Sequence, residues 1–287
     1  MIRSHLPMAA LCALAATPAL AAGHGASPTI TGYALADGGT TLVVMASIDD
    51  ADRVETHALS APLSAIAWRP VTGTLLGLGD GRIVEIDPSS GAITDLGAMV
   101  VGDATIADGA MVGLDFNNAI DAVRAVSTAG DNLVYFPDGF GENDERAGSL
   151  RRFTGLAYAE GDANAGSAPM VFANAYTNAI TGMTAGSTAQ FALDAGTDAL
   201  VTLANNAGTL TTVGAITIDG MAVDLVALGG FDIVSVEEGS NQAYAILQRD
   251  GAETAGLYAI DLESGAATLM QALSMGGLTG FAAAPGM

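Results

Sequence analysis

Short apolar runs broken by turn residues set the pattern of this chain. Runs of roughly four to eight residues rich in Val, Ile, Thr and Leu alternate with clusters of Gly, Asp, Asn and Pro, the signature of many short strands. Sustained apolar positions at helical spacing are scarce beyond the N-terminal segment. The pattern predicts strands over residues 41–46, 64–68, 82–86, 112–116, 122–126, 132–136, 170–175, 199–203, 242–247 and 257–260. The 37 glycines are spread along the whole chain, which suits frequent tight turns better than a flexible linker.

Two recurrences organise these strands. Ile86-Asp87-Pro88-Ser89-Ser90-Gly91-Ala92-Ile93-Thr94 returns as Ile260-Asp261-Leu262-Glu263-Ser264-Gly265-Ala266-Ala267-Thr268, with six of nine positions identical. In both copies an apolar strand ends in Asp, a Gly-bearing turn follows and a second strand begins, so the chain reads as repeated β-units. The second recurrence is Ile66-Ala67-Trp68, Leu114-Asp115-Phe116, Leu156-Ala157-Tyr158, Phe231-Asp232-Ile233 and Phe281-Ala282-Ala283, each preceded by small or Gly-containing residues. Successive first residues lie 48, 42, 75 and 50 positions apart. Three of these intervals suit a four-stranded propeller blade of ~40–50 residues. The longest holds an insertion or a weakly marked extra unit, with 160–168 and 182–188 as the places for extra length.

The fold class expected is therefore all-β: a β-propeller of about five four-stranded blades, or six if the long interval hides one. Residues 278–283 read as the inner strand of a blade completed by 30–35, 42–48 and 54–59, so the two ends of the chain would close the ring and leave no open sheet edge. A β-helix would show shorter, more regular rungs, and a two-sheet sandwich would not explain the distant repeat.

These residues resemble a known family. Ala65-Ile66-Ala67-Trp68-Arg69-Pro70, followed by Thr72-Gly73-Thr74-Leu75-Leu76-Gly77-Leu78-Gly79, is similar to the opening of the bacterial DUF4394 domain. Gly113-Leu114-Asp115-Phe116-Asn117, then Asp121-Ala122-Val123-Arg124-Ala125-Val126-Ser127, resembles its most recognisable stretch. Asp198-Ala199-Leu200-Val201-Thr202 with Gly208-Thr209-Leu210, and Gly230-Phe231-Asp232-Ile233, resemble later ones. The likeness spans residues 30–284 and departs at Asn118, where the family has Pro, and at Ala125, where it has a larger aliphatic residue. The family is one of uncharacterised exported proteins, so the resemblance implies a fold and export and no activity.

The N-terminus reads as a removable export signal. Arg3 precedes a short Ala/Leu-rich run, and Ala19-Leu20-Ala21 fits the small-residue cleavage pattern, giving a signal peptide over 1–21 and one mature domain over 22–287. The run is too short to span a bilayer, no later stretch qualifies, and Leu11 before Cys12 argues against a lipid anchor. The expected location is periplasmic or extracellular, without stable membrane insertion, as a monomer.

Charge narrows the partners. The nine basic residues are all Arg, against 31 acidic ones and a formal net charge of −22. Such a surface repels nucleic acid and anionic membranes, whose binding depends on Lys and Arg neutralising phosphate. Much of the excess is Asp, ordinary turn chemistry and a solvated surface.

Candidate chemistry is sparse. Asp115, Asn117, Asp121 and Arg124 form the densest polar group within an apolar repeat. One reading places them at the mouth of a central channel as ligand-binding residues; the other makes Asp115 and Arg124 an ion pair pinning a hairpin, with Asn117 in its turn. Asp162 and Asn164 alternate with Gly as in a calcium loop, but the closing Glu is missing, with Ala173 in its place, so a solvated loop is favoured over a metal site. Zinc or copper would need clustered His or Cys, and after the signal only His24 and His57 remain, with no Cys. No nucleophile elbow appears, and phosphate loops ending in Lys are excluded because there is no Lys. Trp68, Phe116 and Tyr158 read as inner-strand core. The sequence thus favours an exported, non-catalytic propeller that binds an unidentified ligand or protein partner, with no cofactor other than a weak case for calcium. A glycan-processing hydrolase, for which 31 carboxylates could supply a pair, and a structural envelope protein are the alternatives.

Overall fold

Aspartate followed by glycine makes the tightest reversals of the chain. Asp80-Gly81 and Asp219-Gly220 both take positive φ, the two-residue hairpin geometry that matches strand twist. The computed structural model describes residues 29–286. The predicted signal over 1–21, Cys12, the expected mature start at Ala22 and His24 lie outside them.

The strands run in order as short antiparallel meanders. β1 (Ile30–Ala36), β2 (Thr41–Met45) and β3 (Val54–Ala58) come first, then β4 (Ala65–Arg69), β5 (Thr74–Gly79), β6 (Arg82–Asp87) and β7 (Ala92–Asp95). A short β8 (Met99–Val100) precedes β9 (Val112–Asn117), β10 (Ala122–Ser127), β11 (Asn132–Phe136) and β12 (Ser149–Arg152). Likewise β13 (Ala157–Tyr158) precedes β14 (Val171–Tyr176), β15 (Gln190–Asp194), β16 (Ala199–Ala204) and β17 (Thr209–Ala215). After β18 (Thr217–Ile218) and β19 (Met221–Ala222) come β20 (Leu225–Ser235), β21 (Asn241–Arg249), β22 (Gly256–Ile260), β23 (Ala266–Ala272) and β24 (Thr279–Pro285).

β24 pairs antiparallel with β1, which leads on through β2 to β3, so the last strand and the first three share one meander. That meander is ladder-paired to β20 at a single parallel position, Gly229 with Thr279. The strands β4, β9, β14, β20 and β24 lie each against the next, and β24 lies against β4. The protein is thus all-β and propeller-like, with sheets radiating from a common axis.

The axis is dry and closed on one side. Ala65, Gly113, Ala173, Gly230 and Gly280 each precede a side chain that fills it: Ile66, Leu114, Asn174, Phe231 and Phe281. Close backbone approach explains the small residues, since a Cβ on Gly113 would lie 2.6 Å from the Ala173 Cα and one on Gly230 2.2 Å from the Phe281 nitrogen. The space among these side chains has a volume of ≈ 0 Å³ for water.

The repeated nonapeptide proves to be a hairpin used twice, between β6 and β7 and between β22 and β23. Asp87 accepts from the Ser89 backbone N–H (2.9 Å) and Asp261 from that of Glu263 (2.8 Å). Gly91 and Gly265 donate back to the same Asp carbonyls at 2.8 Å. The identities fall where the turn needs a side-chain acceptor and a reversal.

One predicted inner strand is corrected. Ala157-Tyr158 forms β13, which pairs parallel with the outer strand β17. The axial position of that unit belongs to β14, where Asn174 replaces the large apolar residue used elsewhere. The apolar triplet 156–158 imitated the recurring signal because an edge strand buried under its neighbour needs the same residue types; Tyr158 packs with Val126 and Leu203. The long interval is accounted for by two loops in this unit, one before β14 and one between β14 and β15.

Candidate functional site

The four polar residues singled out from sequence do not form one group. Asp115 and Arg124 are direct register partners on β9 and β10, yet the expected ion pair is absent from their contacts. Asp115 accepts from the Tyr176 backbone N–H at 2.6 Å. Arg124 gives its donors to neutral oxygens: the Tyr176 hydroxyl (2.8 Å), the Asn132 amide, the Asn205 carbonyl (3.1 Å) and the Asn206 amide (2.8 Å). It also lies over the Phe153 ring at 5.6 Å. Tyr176 stands between the two charges, and its burial is the main cause pushing its hydroxyl up to about 12. The hairpin-pin reading therefore gives way to a link between sheets: Arg124 ties β10 and β11 to β14 and the β16–β17 turn.

Asn117 and Asp121 serve other contacts. Asn117 Oδ1 accepts from Ala119 N–H (3.1 Å) and from Thr188 Oγ1 (2.9 Å). Asp121 pairs bidentately with Arg69, at 2.9 and 2.5 Å, bridging β4 to the β9–β10 turn. Asp162 holds Asn164 N–H (2.9 Å), Thr212 N–H (2.8 Å) and Thr212 Oγ1 (2.7 Å), and Asn164 Nδ2 donates to the same Thr212 oxygen (3.0 Å). Both predicted calcium-loop residues thus staple their loop to β17, with the carboxylate oxygens occupied by protein donors.

Above the apolar plug lies a second axial space. It is lined by Trp68, Pro70, Asp115, Ala179, Asp232, Val234, Ala283 and Pro285, and its volume is about 10 Å³, room for roughly one water. Asp115 and Asp232 both face it, each 4 % exposed. Asp232 accepts from Ile233 N–H and Ala283 N–H, both at 2.6 Å. The two carboxylates play the same mechanical part, each crossing from its own inner strand to a backbone N–H of the next. Burial, and for Asp115 also the neighbouring Asp232 charge, pushes both well above the ordinary carboxylate range, Asp232 to about 7.

Ala179, which lines the space, belongs to residues 177–189, the β14–β15 connection, here called the strap. The strap crosses the end of the ring and touches three other meanders. Gly182 donates to the Pro70 carbonyl (2.9 Å) and Ala185 to that of Asn118 (3.1 Å). Asn118 Nδ2 returns bonds to the carbonyls of Asn178 (2.7 Å) and Met183 (3.2 Å). Glu238 receives Gly186 and Ser187 N–H at 3.3 and 3.0 Å. Ile120, Met183 and Val236, on the strap and the turns beside it, are 47, 56 and 59 % exposed.

Sequence reasoning missed Asp232 as the partner of Asp115, although Phe231-Asp232-Ile233 and Leu114-Asp115-Phe116 stood in the same recurrence. Superposing the two triplets places both carboxylates at one axial level, which was the available signal. Asn118 anchors the strap through two amide bonds, which a Pro at this position could not supply.

Radial meanders around a closed axis, with loops gathered over one end, define a propeller-like all-β protein. The family described as a domain of unknown function, DUF4394, matches residues 43–282, and the chain belongs to it. No curated protein matches the chain. Among solved structures it is similar to YCF48 from Cyanidioschyzon merolae (15 % identity, 57 % of this chain and 44 % of that one, TM-score 0.34). It is also similar to the dihydro-heme d1 dehydrogenase NirN in complex with DHE (15 %, 88 % and 45 %, 0.36). A third is a structural genomics protein of unknown function from Bacteroides thetaiotaomicron (10 %, 83 % and 57 %, 0.42). The chain spans about half the length of these structures.

Proposed function

We propose that the chain is an exported, non-catalytic β-propeller of five four-stranded blades that binds a ligand or protein partner through the face carrying the strap. The five-blade reading rests on the ring of inner strands from β4 to β24 and on the shared meander of β24 with β1–β3. Export rests on the N-terminal segment and on what the family resemblance implies. Binding on the face rather than inside rests on one observation: the axial space beside Asp115 and Asp232 holds about 10 Å³, too little for a ligand. A glycosidase would need its two carboxylates to flank an open cleft. The strap, in contrast, is a long connection held by a rigid scaffold, the usual place for recognition.

The test is a binding screen of glycans, small ligands and envelope extracts, run in calcium and again in EDTA, on the parent chain and on Met183→Asp/Val236→Asp. Binding that is lost in the double variant while its melting is unchanged supports the reading. Turnover of a glycan, or binding indifferent to both substitutions, overturns it.

A further inference from the structure

We propose that Asp115 and Asp232 form a buried, protonated carboxylate pair beside the strap, and that ionisation of the pair releases residues 177–189 from the end of the ring. The two carboxylates line one space of about 10 Å³. Their backbone donors are fixed: one strand-to-strand bond from Tyr176 to Asp115, and two bonds from Ile233 and Ala283 to Asp232. Anions in so small and dry a space are costly and repel one another, so the protonated pair is the stable state, and the raised proton affinities of both agree.

Ionisation needs water, and the plug on one side of the pair cannot admit it. Below the pair, Ile66, Leu114, Phe231 and Phe281 leave no room. On the side of the strap lie Ala179 and Pro70, and the strap is held there largely by hydrogen bonds to Pro70, Asn118, Glu238 and Asn241. The charged and titratable groups around the pair supply no free cation. On β4, Arg69 is engaged with Asp121. On β10, Arg124 lies behind Tyr176 of β14 and is spent on that seam. Glu237 and Glu238 on the β20–β21 turn add negative charge, and neither β24 nor the strap carries a titratable side chain.

The chain contains one tryptophan, and Trp68 lines the same space with its indole N–H buried and unpartnered. Its emission therefore reports on the pair. The experiment follows Trp68 fluorescence from pH 5 to 9 together with hydrogen exchange of the strap, expressed relative to the β16–β17 hairpin to cancel the intrinsic pH effect. In the parent chain the relative strap exchange should rise about tenfold between pH 6 and 8, with a parallel change in emission, as expected for one group titrating near neutrality. Asp232→Asn should abolish both transitions, whereas Asp115→Asn should leave them to Asp232 alone. A flat ratio in the parent chain, or transitions that persist in Asp232→Asn, overturns the proposal. Should a variant fail to fold, the parent measurement alone decides between these results.

Discussion

The sheet β14–β17 has two faces that are packed by opposite means. Toward β20–β23 it meets an apolar seam in which Phe172, Leu193, Leu200, Ile233 and Ala245 bury against one another. Toward β9–β12, the half nearer the strap is polar, built from Asp115, Arg124, Asn132, Tyr176 and Asn205. The apolar seam draws its stability from area and tolerates rearrangement of shape. The polar seam depends on each donor meeting its acceptor, and a lost member strands its partners without water. The comparison teaches that neighbouring blades of one ring can be joined by contact area or by specific bonds. The bonded seam lies where the strap and the carboxylate pair sit.

Substitutions can break or sharpen this contrast. The largest effect is expected from Phe231→Ala, which empties part of the axial plug and should cost ~3–5 kcal/mol in chemical denaturation. Next comes Arg124→Ala, expected to cost ~1–3 kcal/mol because Asn132, Asn206 and Tyr176 lose their shared donor. Arg124→Lys should recover less than half of that, since an ammonium cannot reproduce the planar fork. Full recovery by Lys would show that charge, and not bond direction, holds the polar seam.

Acidity separates the seams differently. Asp115 and Asp232 hold their protons more tightly in the folded chain than in the unfolded one. The stability this adds is complete below the unfolded value of roughly 4 and is lost as pH rises through the folded values, about 7 for Asp232. Melting temperature should fall by on the order of 5 °C from pH 5 to pH 8, and Asp232→Asn should flatten that slope. The opposite sign applies to Asp144, held down to about 2 by its bidentate bonds to Arg146, and to Asp162, lowered by the backbone N–H groups of Asn164 and Thr212. Those contributions disappear on acidification below about 4.

Smaller effects should come from the periphery. Arg69→Ala removes a half-buried pair with Asp121 and should cost ~1 kcal/mol. Asp162→Ala should cost less than Arg69→Ala, through loss of its loop staple to Asn164 and Thr212. Melting of the parent chain should be the same in calcium and in EDTA, because protein donors already occupy the Asp162 carboxylate; a clear calcium shift would contradict this assignment.

Much of the architecture was legible because turns and strands obey local rules. Asp87 and Asp261 announce their hairpins by spacing alone, and the triplets around Ile66, Leu114, Phe231 and Phe281 mark the axis. What escaped depends on contacts distant in sequence. Asn174 hides the inner strand of its unit because a polar residue stands where its equivalents are large and apolar, while the edge strand holding Tyr158 looks like an axial one. Arg124 was recognisable as unusual, but its partners lie 8 to 82 positions away, beyond any periodicity. Asp115 was named, whereas Asp232 became visible as its companion only when the ring brought their strands to one end of the axis.

The pairing of β24 with β1 also governs the order of assembly. The inner strand of the first meander is synthesised long after its sheet neighbours, so residues 30–58 must wait for 279–285 before their sheet is whole. Thr29 and Gly286 are joined by a backbone hydrogen bond, which makes the two ends of the described segment neighbours in space. A permuted chain that links them and opens within residues 101–111 would synthesise this sheet as one continuous stretch. Comparing its refolding rate with that of the parent would measure how long ring closure delays the fold.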